Sequence, residues 1–85
     1  MSNKWLITFR SITLAQQGER ILRRGNLPCQ LQRTPKALTE RGCGYCLRLQ
    51  AVDAPIAVEL FNKEQVPYEK LYAQGEDGST RELVL

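Results

Sequence analysis

ILRRGNLPCQLQ, residues 21–32, is answered 39 residues later by LFNKEQVP, residues 60–67. In each stretch an apolar pair (Ile21-Leu22, Leu60-Phe61) is followed by a short polar link, then by an apolar residue and a proline (Leu27-Pro28, Val66-Pro67). Helix, short loop, apolar residue and proline recur in the same order. The repeat implies two halves, each built strand-helix-strand.

The residues on either side fill in those halves. Trp5-Leu6-Ile7-Thr8-Phe9 is a short apolar run that reads as a buried strand. Ser11 follows as a helix N-cap. Leu14, Ala15, Gly18, Ile21 and Leu22 then recur at helical spacing. Arg20, Arg23 and Arg24 crowd the last turn, where the helix dipole favours cations, and Gly25 is placed to terminate it. Gly18 costs the helix about 1 kcal/mol relative to alanine, so close packing on a sheet is its expected compensation.

Leu27, Cys29 and Leu31 alternate with Pro28, Gln30 and Gln32 as a half-buried second strand. Thr34-Pro35 opens a helical turn, with Thr34 as its cap, that Lys36 to Arg41 fit and Gly42 ends. Tyr45, Leu47 and Leu49 alternate with Cys46, Arg48 and Gln50 in a third strand. Asp53 caps a second helix with Pro55 in its first turn and Ala57, Leu60 and Phe61 on its inner face. Val66 to Tyr72 reads as the fourth strand.

The order is β-α-β-β-α-β. It predicts an α+β, ferredoxin-like two-layer sandwich, two helices on one face of an antiparallel sheet, over residues 1–73. Residues 74–85 form a turn-rich tail, with Arg81 to Leu85 expected as an added edge strand.

Composition bounds the function. With 85 residues, 42% of them hydrophobic and 25% charged, the chain is expected to be one soluble domain. It has no apolar run of the roughly 18 residues that span a bilayer, and Met1 to Trp5 do not read as a secretory h-region with a cleavage site, so the expected location is the cytoplasm, where thiols are reduced. Residues 1–52 carry nine Lys/Arg against two Glu, and residues 53–85 carry three against seven Asp/Glu. The basic half suits a thiolate, an anionic substrate or an acidic partner. Nucleic acid is disfavoured, because no aromatic RNA-binding pattern accompanies the charge.

Three cysteines and no histidine remain. They cannot close a four-ligand structural zinc site within one chain without Asp/Glu or a second subunit, and no cofactor or metal is expected. Cys29 is in phase with Leu27 and Leu31 and should face the helices as a small hydrophobe. Cys46 alternates onto the face without helices, where it is expected to be accessible or covered by a partner; it either packs there or serves as a second thiol. Cys43 stands between Gly42 and Gly44, outside any alternating pattern, and is the candidate functional thiol. Without a histidine, its thiolate would depend on Arg33, Arg41 and Arg48 and on backbone N–H groups around Gly42 and Gly44. A position just after a helix C-terminus would oppose this by raising the thiol pKa. The Cys43-x-x-Cys46 spacing also suggests a dithiol. Its second cysteine enters a strand, however, and a bridge would need a turn at Gly44.

Trp5 to Ser11, Leu27-Pro28, the TPxxL segment Thr34-Pro35 with Leu38, Cys43-Gly44 before Leu47-Arg48, and Val66-Pro67-Tyr68 together resemble the selenium/sulfur carrier protein-like family over roughly residues 4–73. The resemblance implies a carrier that holds a chalcogen on a cysteine as a persulfide or selenopersulfide, with Cys43-Gly44 as the residues carried over. Cys46 is not part of that pattern. A carrier is favoured over a stand-alone enzyme. Its partners would be a donor such as a cysteine desulfurase and an acceptor protein, and the open sheet face admits a homodimer. The alternatives are a thiol-disulfide oxidoreductase using Cys43 and Cys46, or a non-catalytic regulatory or interaction module.

Overall fold

Alternation sets the centre of the sheet. The computed structural model describes residues 4–38 and 44–83. In it, strand β3 (Tyr45–Gln50) lies antiparallel between β1 (Lys4–Phe9) and β2 (Cys29–Arg33). Strand β4 (Leu71–Gln74) pairs with the other side of β1, and β5 (Thr80–Leu83) pairs with β4. The sheet order is β2-β3-β1-β4-β5, antiparallel throughout. Helix α1 (Ile12–Arg24) follows β1, and helix α2 (Ala54–Lys63) follows β3. The result is a small α+β domain.

Successive strand residues point to opposite faces, and the burial follows that rule. Ile7, Phe9, Leu47, Leu49 and Leu71 share one face and pack with Ala15, Leu22, Ala57 and Phe61 of the helices. Gly18 of α1 lies on this interface. A Cβ added there would sit 3.0 Å from Phe9 Cζ, 3.1 Å from Leu47 Cδ1 and 3.2 Å from Phe61 Cε1. The two rings meet edge-to-face with centroids 5.6 Å apart, a favoured aromatic geometry. The missing side chain is what lets α1 approach them, as the sequence anticipates.

The internal repeat is a helix stop used twice. After α1, Leu27 N–H donates to the Leu22 carbonyl and Asn26 N–H to that of Arg23. After α2, Val66 N–H donates to the Phe61 carbonyl and Gln65 N–H to that of Asn62. Both are Schellman caps, with the apolar residue after the turn buried against the last helical turn. The left-handed residues are Asn26 and Gln65, each at φ 60°. Gly25 ends the helix as its C-cap, as expected, with φ −86°, and Asn26 makes the left-handed turn.

Three expectations are corrected. Asp53 holds the N-cap position of α2, but its side chain makes no capping hydrogen bond. Thr34 does not cap the turn after β2, since its Oγ1 is buried without a hydrogen-bond partner among the described residues. The fourth strand starts at Leu71 instead of Val66. Val66 is spent on the helix cap and Pro67 has no N–H to give. Glu69 N–H then donates to the Thr8 carbonyl while Thr8 N–H donates to that of Lys70, a two-against-one pairing of the kind a bulge makes. Lys70 N–H is taken by Thr8 Oγ1 at 3.0 Å.

The expected edge strand is present as β5, joined to β4 by a turn with Gly78 at φ 86°. No helix among the described residues is long and apolar enough to cross a membrane.

Candidate functional site

The β2–β3 connection carries the cysteine-bearing loop. Its base is well defined. The ladder ends at the pair Arg33–Tyr45, and Thr34 N–H donates to the Gly44 carbonyl at 3.1 Å. Pro35 then starts a single 3-10 turn over Lys36–Leu38, closed by Leu38 N–H on the Pro35 carbonyl at 2.9 Å. Gly44 has φ 140°, a conformation only glycine adopts without strain. A Cβ there would lie 3.5 Å from Thr34 Oγ1 and 3.7 Å from the Phe9 carbonyl oxygen, so the loop base abuts the end of β1. Arg41, Gly42 and Cys43 lie outside the described residues.

Leu38 folds back onto the sheet face opposite the helices. There it packs on a second small core made of Leu6, Cys46 and Tyr72. This overturns the expectation that Cys46 is accessible or covered by a partner: it is 0% exposed, and the chain's own Leu38 packs over it. The signal available in the sequence was Leu38 itself, the lone leucine in an otherwise mostly polar connection. It has no periodicity to mark it.

Cys46 stands opposite Thr8 on β1 and Gln32 on β2. Burial pushes its thiol up, and the Thr34 hydroxyl and Gln32 side chain pull it part of the way back. Thr34 Oγ1 makes no acceptable hydrogen bond in this geometry, so its effect falls on the anion, as an unengaged donor beside the sulfur. At neutral pH Cys46 is therefore a protonated, enclosed thiol and a poor first nucleophile. Cys29 faces α1 as expected, half-buried against the core. Its thiol is pushed up by burial and by Glu19, with Arg23 opposing.

The arginines separate. Arg33 is exposed at the loop base, paired with Tyr45. Arg48 is further along β3, opposite Leu6 and Gln30, with its Nε buried. Arg10, missed in the sequence, follows Phe9, whose partner is Tyr45, and so sits at the loop end of the sheet. It is mostly exposed, 3.9 Å from Glu69. Also at that end is the N-terminus of α1, where Ser11 Oγ accepts from Leu14 N–H at 3.3 Å and the first turn holds no acidic residue. Helix N-termini favour a nearby anion. The register that brings these groups to one end follows from pairing Phe9 with Tyr45, which a single strand's sequence does not state.

A family model described as "Putative Se/S carrier protein-like" matches residues 4–73. Neither the comparison with curated proteins nor that with solved structures returned a match.

Proposed function

The chain belongs to the Se/S carrier protein-like family, and from that membership we propose that it carries sulfur or selenium on Cys43 as a persulfide or selenopersulfide. The observation that carries this reading is that the matched span, residues 4–73, takes in the cysteine that glycine flanks on both sides. In the reaction, the Cys43 thiolate attacks the outer sulfur of a donor persulfide. A new S–S bond forms at Cys43, the donor's S–S bond breaks, and the donor leaves as a thiolate, so no external oxidant or reductant enters. The acceptor repeats the exchange on the outer sulfur of Cys43.

Three features support a stabilised anion at this loop: Gly44 at φ 140°, the unengaged Thr34 hydroxyl beside it, and the acid-free N-terminus of α1 at the same end of the sheet. Arg33 and Arg10 add positive charge there. The donor would be an enzyme of the cysteine desulfurase type, and the acceptor a second protein. The order β2-β3-β1-β4, with a helix after β1 and another after β3, supports a ferredoxin-like reading of the core, with β5 as an addition. Enclosure of Cys46 weighs against a rapid Cys43/Cys46 dithiol cycle.

The test is intact-mass analysis after incubation with a cysteine desulfurase and cysteine. The native chain gains one sulfur or more, and Cys43→Ser gains none. An adduct of equal yield in Cys43→Ser would sink the proposal.

A further inference from the structure

On the face of the sheet that carries no helix, a second group of side chains converges away from the loop. Lys4 on β1 pairs with Gln50 on β3, and Arg48 on β3 pairs with Gln30 on β2. Strand alternation puts all four on the same face as Leu6 and Cys46. Together with Pro28 they line an open pocket of about 240 Å³. No carboxylate among the described residues lines it. Neither Lys4 nor Arg48 forms an ion pair with a described residue.

The decisive atom is Arg48 Nε, which is buried and has no hydrogen-bond partner among the described residues. A buried donor without an acceptor is costly, and more so on a charged group. The remedy is an acceptor that also carries negative charge. Two cations in a concave site would attract one, and the amides of Gln30 and Gln50 can donate to its remaining oxygens. The volume is below the roughly 300–1,000 Å³ of pockets for drug-sized ligands, so the occupant is small.

We propose that Lys4, Gln30, Arg48 and Gln50 form a binding site for a small oxyanion, either an inorganic tetrahedral anion or the carboxylate of a small metabolite. The site stands apart from the loop and does not depend on Cys43. Arg48 acts through charge and through its Nε–H, which lysine lacks.

The experiment is an NMR titration of the full chain at constant ionic strength, following the Arg48 Nε–Hε signal. Sodium sulfate and sodium acetate are the two probes and sodium chloride the control. A saturable shift with sulfate alone identifies an inorganic oxyanion; one with acetate alone identifies a carboxylate; either supports the site. Arg48→Lys weakens the affinity about tenfold or more, because one charge-assisted hydrogen bond is lost. Lys4→Gln, at the pocket rim, weakens it several-fold. Lys63→Gln, at the end of α2, leaves it unchanged. A shift that never saturates and is matched by chloride overturns the proposal. So does an Arg48→Lys or Lys4→Gln variant, folded by its backbone spectrum, that binds as tightly as the native chain.

Discussion

Replacing Gly18 with alanine sets two calculable effects against each other. In an exposed helix position the change would stabilise by about 1 kcal/mol, because glycine is the poorer helix former. At Gly18 the new methyl would meet Phe9, Leu47 and Phe61 at 3.0, 3.1 and 3.2 Å. These side chains are at most 1% exposed, and the two rings are locked edge-to-face at an interplanar angle of 81°. None can swing into solvent. Inserting a methylene-sized group into such a core costs about 1–3 kcal/mol, and three simultaneous contacts place this site at the upper end. The clash wins. Gly18→Ala should lose about 1–2 kcal/mol net, a fall in Tm of roughly 5–15 °C for a domain of this size. Urea denaturation followed by the fluorescence of Trp5, the one tryptophan, measures it. Gly25→Ala is the internal control. Its φ is −86° and its Cβ would find ordinary contact at 3.4 Å from Leu60 Cδ1, so it should be neutral or slightly stabilising. A Gly18→Ala protein as stable as the native one would refute the packing argument.

Gln65→Gly should raise stability by about 1 kcal/mol, since Gln65 pays for a left-handed conformation that glycine takes freely; thermal unfolding checks this, and a loss would mean the cap is misdescribed. Gly44→Ala should cost about 1–3 kcal/mol through backbone strain at φ 140°, read by the same denaturation assay. Burial raises the Cys46 thiol above its ordinary value of 9.0. The folded state therefore prefers the neutral thiol, and its contribution is complete below pH 9 and lost as pH rises through the shifted value. Unfolding free energy measured from pH 7 to above 9 should fall, and Cys46→Val should flatten that fall.

The legible parts of the fold were those written in period or in repetition. Tyr45, Leu47 and Leu49 alternating against Cys46, Arg48 and Gln50 fixed which face each would take. The spacing of Leu22 and Leu27, repeated at Phe61 and Val66, marked both helix ends. The mistakes arose where one residue serves two candidate elements. Val66 looks like the start of a strand, yet its N–H closes the α2 cap, and strand pairing waits until Leu71. Leu38 carries no periodic signal, and only the tertiary fold reveals that it covers Leu6, Cys46 and Tyr72. At the candidate site, Arg33 and Gly44 flank the loop in sequence and stand at its base in the structure. Arg10, Thr34 and the α1 N-terminus arrive there through the Phe9–Tyr45 and Arg33–Tyr45 registers, which are long-range pairings. Arg48 was grouped with the loop because it is near in sequence. Strand geometry moves it along the sheet, into a different pocket.

Cys43 is the proposed carrying thiol, and Cys46 is enclosed. Mass spectrometry of the native chain, Cys43→Ser and Cys46→Val after loading by a cysteine desulfurase tests both halves together. A sulfur adduct should form on the native chain and on Cys46→Val, mapped by peptide digestion to Cys43, and none on Cys43→Ser. An adduct that persists in Cys43→Ser and disappears in Cys46→Val would contradict it.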